Sequence, residues 1–315
     1  MTARSILVYH PEPGEAQAYA RLIKQPKLPF AVAVCSTPSE AEPHIGDAEI
    51  LYAWNFPRAL LPRAAKLRWA QNMGAGVERL MLPELPRRVK VTRVAGIFGP
   101  WIAEYVLGWC LWLTQRTELF RAQQRERCWR QADPLRLHGA TLCVVGLGDI
   151  GRTIARAARG FGMLVVGVNR SGRKVAEADR VYKTRDLRKA VAGADFVALT
   201  APLTEATRGL IGAAELAAMP PSAWLINIAR GPVVDEAALL DALRAHRLGG
   251  AVLDVFDEEP LPQSHPLWEL DNVVITPHIS GPSTSGEIAP IFNDNLRRYL
   301  AGRALRYEVD RKRGY

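Results

Sequence analysis

Three polar residues carry most of the chemistry that can be read from this chain. Arg230 follows the apolar run in INIARGPVVDEAAL, Glu259 the run in LDVFDEEPLP, and His278 the run in ITPHISG. Each apolar run reads as a β-strand, so each polar residue falls at the carboxyl end of a strand. Open parallel sheets place their ligand crevice at that edge. An imidazole titrates near neutrality and can exchange a proton under ordinary conditions. A carboxylate beside it would fix the ring and favour its protonated form by charge attraction. A guanidinium offers several fixed donors suited to an anionic or carbonyl oxygen. Taken singly, His278 is more often a packed or capping residue and Arg230 a surface cation, so the constellation carries the claim.

The segment TLCVVGLGDIG at 141–151 is an apolar strand followed by Gly146, Gly148 and Gly151 in G-x-G-x-x-G spacing. Gly146 permits a tight turn, Gly148 lets backbone approach a pyrophosphate, and Gly151 lets helix and strand pack closely. Asp149 and Ile150 complete the turn, and amides at the helix start favour phosphate charge. The bland alternative is a glycine turn that binds nothing. The next strand ends in LVVGVNRSGRK, where an acid would accept the ribose hydroxyls of NAD. Position 169 is Asn, followed by Arg170, Ser171, Arg173 and Lys174, and no acid occurs between Asp149 and Glu177. A 2′-phosphate would meet guanidinium there rather than carboxylate, which points to NADPH over NADH. The competing reading is that these cations only face solvent.

Elements must hold these groups in register. Strands are expected at 5–9, 30–35, 49–53, 67–71 and 89–93, then at 141–145, 164–168, 196–199, 223–227, 250–254 and 273–275. Helices are expected at 101–120, behind Pro100, and at 149–160, 185–192, 213–218, 236–245 and 283–301, with 121–139 as a connector. This alternation describes an α/β chain with parallel sheets covered by helices. The six later strands match a doubly wound dinucleotide-binding domain, and 315 residues suit two cores. The 48% hydrophobic content fits an ordinary globular protein. No leader is expected, because residues 1–4 precede only a short apolar stretch. The apolar segment 102–113 contains Glu104 and is too short to span a bilayer, so no membrane association is expected. Cys35, Cys110, Cys128 and Cys143 lie too far apart in sequence to suggest zinc or redox chemistry. They read as reduced packing residues of a cytoplasmic protein, and no metal site is expected. The net charge of +9 is scattered, without a nucleic-acid recognition motif, and suits an anionic cofactor and substrate better than nucleic acid.

In order along the chain, NMGAGVERL, WIAEYVLGW, VVGLGDIGR, TAPLTEATRGLI, INIARGPVVDEAAL, LDVFDEEPLP and TPHISG together resemble the D-2-hydroxyacid dehydrogenase family. Within it the similarity is greatest to the glyoxylate/hydroxypyruvate reductases. The resemblance implies two Rossmann-like, doubly wound parallel-sheet domains with a cleft between them. A discontinuous substrate domain would comprise 1–100 plus 283–315, and the dinucleotide-binding domain 101–282. It implies Arg230, Glu259 and His278 as the catalytic triad, with His278 giving a proton to the carbonyl oxygen of a 2-oxo acid as hydride reaches its carbon. It also implies a homodimer.

The resemblance gives the loop of Gly74, Ala75 and Gly76 to the substrate carboxylate, although Glu78 stands where relatives more often have Asp. Trp54, Phe98 and Trp101 could form an aromatic wall, and interdomain packing is an equal alternative for each. Asp254 resembles the acid that contacts the nicotinamide carboxamide, or simply ends its strand. Thr207 and Arg152 are candidate phosphate neighbours, and Pro202 and Leu203 would shape the cofactor groove. The same reading adds Ala201, Ile228, Ala229 and Gly281 to that groove, along with Arg230 and His278 themselves. Glyoxylate and hydroxypyruvate are the first-choice substrates. Aryl 2-oxo acids such as phenylpyruvate come second, and a non-catalytic NAD(P)H-sensing regulator is the competing class. Oxidation of the formate dehydrogenase kind shares the fold, but the resemblance favours the Arg–Glu–His arrangement and a carboxylate-bearing substrate.

Overall fold

The computed structural model describes residues 4–24 and 30–315; residues 1–3, part of the argument against a leader, lie outside them. The chain divides into two compact units, Met1–Ile97 with Ser283–Tyr315, and Phe98–Pro282.

The first unit is built on β1 (Ser5–Tyr9), α1 (Pro13–Arg21), β2 (Ala31–Cys35), α2 (Pro38–Ile45), β3 (Ile50–Ala53), β4 (Trp69–Asn72) and β5 (Lys90–Thr92). Its sheet has the order β2-β1-β3-β4-β5, and every pairing is parallel. All residues of β3 and β4 are buried, as expected of strands covered on both faces. Two helices lie in segments that sequence patterning reads only as Pro- and Ala-rich separators. Each has proline in its first turn, where no amide hydrogen is needed, and α2 opens on a capping box of Thr37 and Glu40. The last helix of the chain, Ser285–Leu300, belongs to this unit. Its Phe292 stacks on Tyr52 at 4.0 Å between ring centroids and on Trp69 at 5.2 Å. Fully buried Asn295 donates to Gln71 on β4.

The second unit opens with α3 (Phe98–Thr114) and α4 (Thr117–Arg125). Sequence patterning places one helix at 101–120. The structure starts three residues earlier, because Pro100 fits a first turn whose amides lack helical acceptors. It breaks at Arg116, which turns left-handed with φ 51° where the apolar stripe ends, and the second helix runs into the expected connector.

There follow β6 (Thr141–Val145), α5 (Asp149–Gly160), β7 (Leu164–Asn169), β8 (Arg180–Lys183), α6 (Leu187–Val191), β9 (Phe196–Leu199), α7 (Ala213–Ala218), β10 (Trp224–Asn227), α8 (Glu236–Arg244), β11 (Gly250–Leu253) and β12 (Val273–Ile275). Among the described residues the sheet has seven strands rather than the expected six, in the order β12-β11-β10-β9-β6-β7-β8. The additional β8 reads RVYK, a charged edge strand without the apolar run that marks a central one. Its central strands β9 and β11 are wholly buried, and each enclosed Val or Leu contributes roughly 1.5–3 kcal/mol. Cys110 and Cys143 are packed into these interiors, where burial pushes their thiols up to about 12. They act as small apolar residues.

Candidate active site

All seven strands of the second unit run parallel, so the loops that follow them share one edge. Strand order reverses between β6 and β9, and a crevice opens at such a switch point. Gly146 follows β6 at φ +112°, and a side chain there would press on Thr200 and the amide of Ala201 beyond β9. Thr200 in turn donates its hydroxyl to the Gly146 carbonyl at 2.5 Å. A Cβ on Gly151 would overlap that same carbonyl oxygen, whereas beside Gly148 there is open space for 4 Å. Gly146 and Gly151 thus serve the turn's own packing, and Gly148 leaves room for a ligand. No side chain caps the amino end of α5, which leaves its positive pole to attract an anion. These features fit a dinucleotide pyrophosphate. In Gly151→Ala the turn must open, so thermal stability falls by ~1–3 kcal/mol and cofactor binding is lost. Calorimetric melting and a fluorescence titration with NADPH measure both, and an unchanged melt would show that the turn tolerates the methyl group.

Beyond β7, Asn169 organises its own loop. Its side chain donates to the Arg173 carbonyl at 2.9 Å and accepts from the Arg173 amide and the Ser171 hydroxyl, both at 3.2 Å. Arg170, Ser171 and Arg173 are therefore displayed, exposed, on one turn. Arg152, a candidate phosphate neighbour by sequence, instead makes a two-contact pair with Glu177, which also receives Arg156. The hydrogen bond from Arg152 is the main cause that holds the Glu177 carboxyl down to about 2, against burial that pushes it up. Its folded value thus lies below the ordinary 4.5, so the pair stabilises the fold above about pH 4.5 and is lost as pH falls toward 2. Glu177→Gln accordingly lowers the urea midpoint at pH 7, and the gap from the parent protein closes as the solution is acidified. A gap that ignores pH would remove charge pairing as its cause. Thr207, the other candidate, bonds the Pro202 carbonyl at 2.6 Å and staples the loop that carries Pro202 and Leu203.

The three polar residues of the later loops come from adjacent strands β10, β11 and β12. His278 Nδ1 lies 2.8 Å from Glu259 Oε2, and the other Glu259 oxygen accepts from the Phe256 amide at 2.9 Å. Burial is the largest influence on the Glu259 carboxyl and pushes it up. Hydrogen bonds from His278 and Phe256, with the charges of His278 and Arg230, outweigh it and hold the group below its ordinary value. Arg230 is close enough for its charge to act there, and its Nη1 donates to the Ala229 carbonyl at 2.6 Å. Buried Asn227 shapes this turn by accepting from the Ala229 amide and donating to the Arg230 carbonyl. Gly231 has no room for a side chain against the Phe256 and Asp257 backbone, so the loops carrying Arg230 and Glu259 are locked together.

Asp254 is fully buried. Its carboxylate accepts the amides of Ile279 and Ser280 and the hydroxyl of Thr276, and its carbonyl accepts the His278 amide. It fixes the backbone on both sides of His278, which adopts φ +55°. The Tyr105 hydroxyl continues this chain at 2.6 Å from Thr276. Sequence reading singles out Asp254 but not Thr276, Tyr105 or Asn227, which act through long-range contacts that no spacing reveals. Ile228 and Ala229 lie buried beneath the Arg230 turn, and Gly281 packs on Ile102 and Phe98. Phe98 is itself buried within α3, whereas Trp101 is 45% exposed on its first turn.

In the first unit, Trp54 lies over Gly74 so closely that no side chain fits there. Asn72, at the end of β4, donates to the carbonyls of Gly74 at 3.1 Å and Gly76 at 2.6 Å. Among the described residues, the amides of Gly74, Ala75 and Gly76 donate to no protein acceptor. Successive amides of this kind make a nest for an anion. No group of three potential metal ligands occurs among the described residues, and none of their helices is long and apolar enough to cross a membrane.

A glycine turn at the switch point, with an Arg, Glu and His on the same edge, defines a nicotinamide-dinucleotide oxidoreductase domain. Residues 107–280 match the family model described as D-isomer specific 2-hydroxyacid dehydrogenase, NAD binding domain. The chain belongs to the D-isomer specific 2-hydroxyacid dehydrogenase family. Over 248 residues it is 34% identical to a glyoxylate reductase of Korarchaeum cryptofilum, covering 76% of this chain and 75% of that protein. A family member of known structure from Aeromonas salmonicida is 39% identical, with a TM-score of 0.89 over 99% of this chain and 100% of the other. An NADPH-dependent glyoxylate/hydroxypyruvate reductase from Sinorhizobium meliloti, solved with NADP and sulfate, is 27% identical, with a TM-score of 0.89 over 100% of both chains. The chain is thus an enzyme of a family that reduces small 2-oxo acids with a nicotinamide cofactor.

Proposed function

We propose that this enzyme reduces glyoxylate and hydroxypyruvate, with NADPH as the preferred cofactor over NADH. The observation that carries the reading is the 2.8 Å contact of His278 with Glu259, made where the charge of Arg230 also acts. When bound, the nicotinamide would supply hydride to the carbonyl carbon. Glu259 engages Nδ1 of His278, which leaves Nε2 to give a proton to the carbonyl oxygen. Arg230 holds the anionic substrate and stabilises negative charge as it gathers on that oxygen. Asp254, through the backbone on either side of His278, keeps the ring in position. In the first unit we assign substrate contact to Trp54 and the amides of Gly74, Ala75 and Gly76.

NADPH preference is supported by the acid-free turn of Asn169, Arg170, Ser171 and Arg173, and by the similar Sinorhizobium meliloti enzyme, which is NADPH-dependent. A spectrophotometric screen of NADPH oxidation over a panel of 2-oxo acids tests the substrate order. Turnover confined to aryl acids overturns it. A lower Michaelis constant for NADH than for NADPH refutes the cofactor choice. Tight cofactor binding without turnover of any acid would instead favour a sensing regulator.

The proposal extends to a cytoplasmic homodimer. Trp129 is 97% exposed and Leu135 61%, with Leu119 and Phe120 also exposed nearby in sequence, and apolar surface of this kind commonly marks a protein interface. Light scattering on the eluting protein reads the mass, and a monomer at working concentration would remove the dimer.

A further inference from the structure

We infer that Lys183, at the end of β8, is a determinant of cofactor choice that receives the phosphate on the adenosine ribose 2′-oxygen beside Arg170 and Arg173. The inference rests on the NADPH reading above. In the parallel register of β7 and β8, Lys183 is the partner of Asn169, so both stand at the carboxyl ends of neighbouring strands. In this fold class the residue ending the second strand faces the adenosine ribose. The stem of Lys183 runs along Gly172, the tip of the turn that Asn169 organises. Its Cγ, Cε and Cδ lie 2.6, 3.3 and 3.6 Å from where a Gly172 Cβ would sit. Gly172 adopts φ +69°, so a glycine both suits the turn and clears the path of the lysine. The ammonium is thereby delivered to the turn that displays Arg170, Ser171 and Arg173.

The neighbouring cations differ in whether their charge is already taken. Arg152 and Arg156 share Glu177, Arg159 lies on Asp179, and Arg185 and Lys189 lie on Asp186. Among the described residues no carboxylate comes within ion-pair distance of Lys183, Arg170 or Arg173. A phosphate dianion entering here meets two guanidinium forks and one compact point charge, a combination that neutralises it from several directions.

Calorimetric titration with 2′,5′-ADP and with 5′-AMP, which lacks only the 2′-phosphate, isolates the subsite from turnover and from the nicotinamide. In Lys183→Met, which keeps the apolar stem on Gly172, affinity for 2′,5′-ADP falls about five- to tenfold while that for 5′-AMP moves less than about twofold. Lys183→Arg restores most of the loss, and Lys189→Ala leaves both affinities alone. The salt dependence of 2′,5′-ADP binding becomes shallower in Lys183→Met, since a charged contact is gone. If the parent protein binds 2′,5′-ADP no better than 5′-AMP, the NADPH reading and this inference both fall. If it prefers 2′,5′-ADP and Lys183→Met keeps that preference in full, only the role of Lys183 is overturned.

Discussion

In His278→Gln, kcat for reduction of a 2-oxo acid falls about a thousandfold while NADPH affinity stays within about twofold of the parent value. On the proposed mechanism the ring does its work through a proton, and a glutamine of similar reach offers none near neutral pH. The structure accounts for the size of the effect. Glu259 engages Nδ1, so one ring nitrogen is committed to orientation and the other is left for the substrate oxygen. The backbone that carries the ring is pinned by Asp254 through the amides of His278, Ile279 and Ser280, which fixes the direction from which the ring projects. Cofactor affinity is the control, because the glycine turn and the basic turn lie after β6 and β7, away from the loop after β12. Steady-state kinetics with a parallel fluorescence titration separates the two quantities. A loss of less than about tenfold would leave His278 as an orienting residue rather than the proton donor.

Arg230→Ala has a comparable cost by a different route. It removes the charge that we assign to holding an anionic substrate and the donors assigned to the developing alkoxide, so kcat/KM falls by about a hundred- to a thousandfold. Both parameters are affected, KM through the lost ground-state contact and kcat through the lost transition-state contact. Arg230→Lys recovers little, because a point charge on a flexible stem does not reproduce a planar fork. Asn227 makes the site demanding in this respect, since it sets the turn from which Arg230 projects. Cofactor binding survives in the alanine variant, which separates a reductase from a sensor whose output depends on the dinucleotide alone. Unchanged turnover in Arg230→Ala would remove the arginine from the substrate site altogether.

Much of this site is legible in the sequence because its parts follow apolar strands. A run such as TLCVV or INIA states where a parallel strand ends, and a polar residue just beyond it is already placed on the ligand edge. The glycine spacing is similarly local, since Gly146 and Gly151 answer to contacts within one turn and its immediate neighbour strand. What spacing does not reveal is pairing across the fold. The acid nearest to Arg152 in sequence is Asp149, yet its guanidinium goes to Glu177, a residue 25 positions away that becomes a neighbour only when β7 is laid beside β6. Strand β8 escapes notice because an edge strand needs no continuous apolar run, and with it escapes Lys183. The helices α1 and α2 are masked by proline, which sequence patterning treats as a breaker although the first turn of a helix accepts it. The capping box of Thr37 and Glu40 is the local signal that marks α2.

Isotope transfer reads the central chemistry in one step. With NADPH deuterated on the transferring face of the nicotinamide and glyoxylate as acceptor, mass spectrometry of the product should find one deuterium on carbon 2 of glycolate. On the proposed mechanism the hydroxyl proton comes from solvent by way of His278. Glycolate that forms without the label, or cofactor that stays fully reduced beside every small 2-oxo acid, would contradict the account.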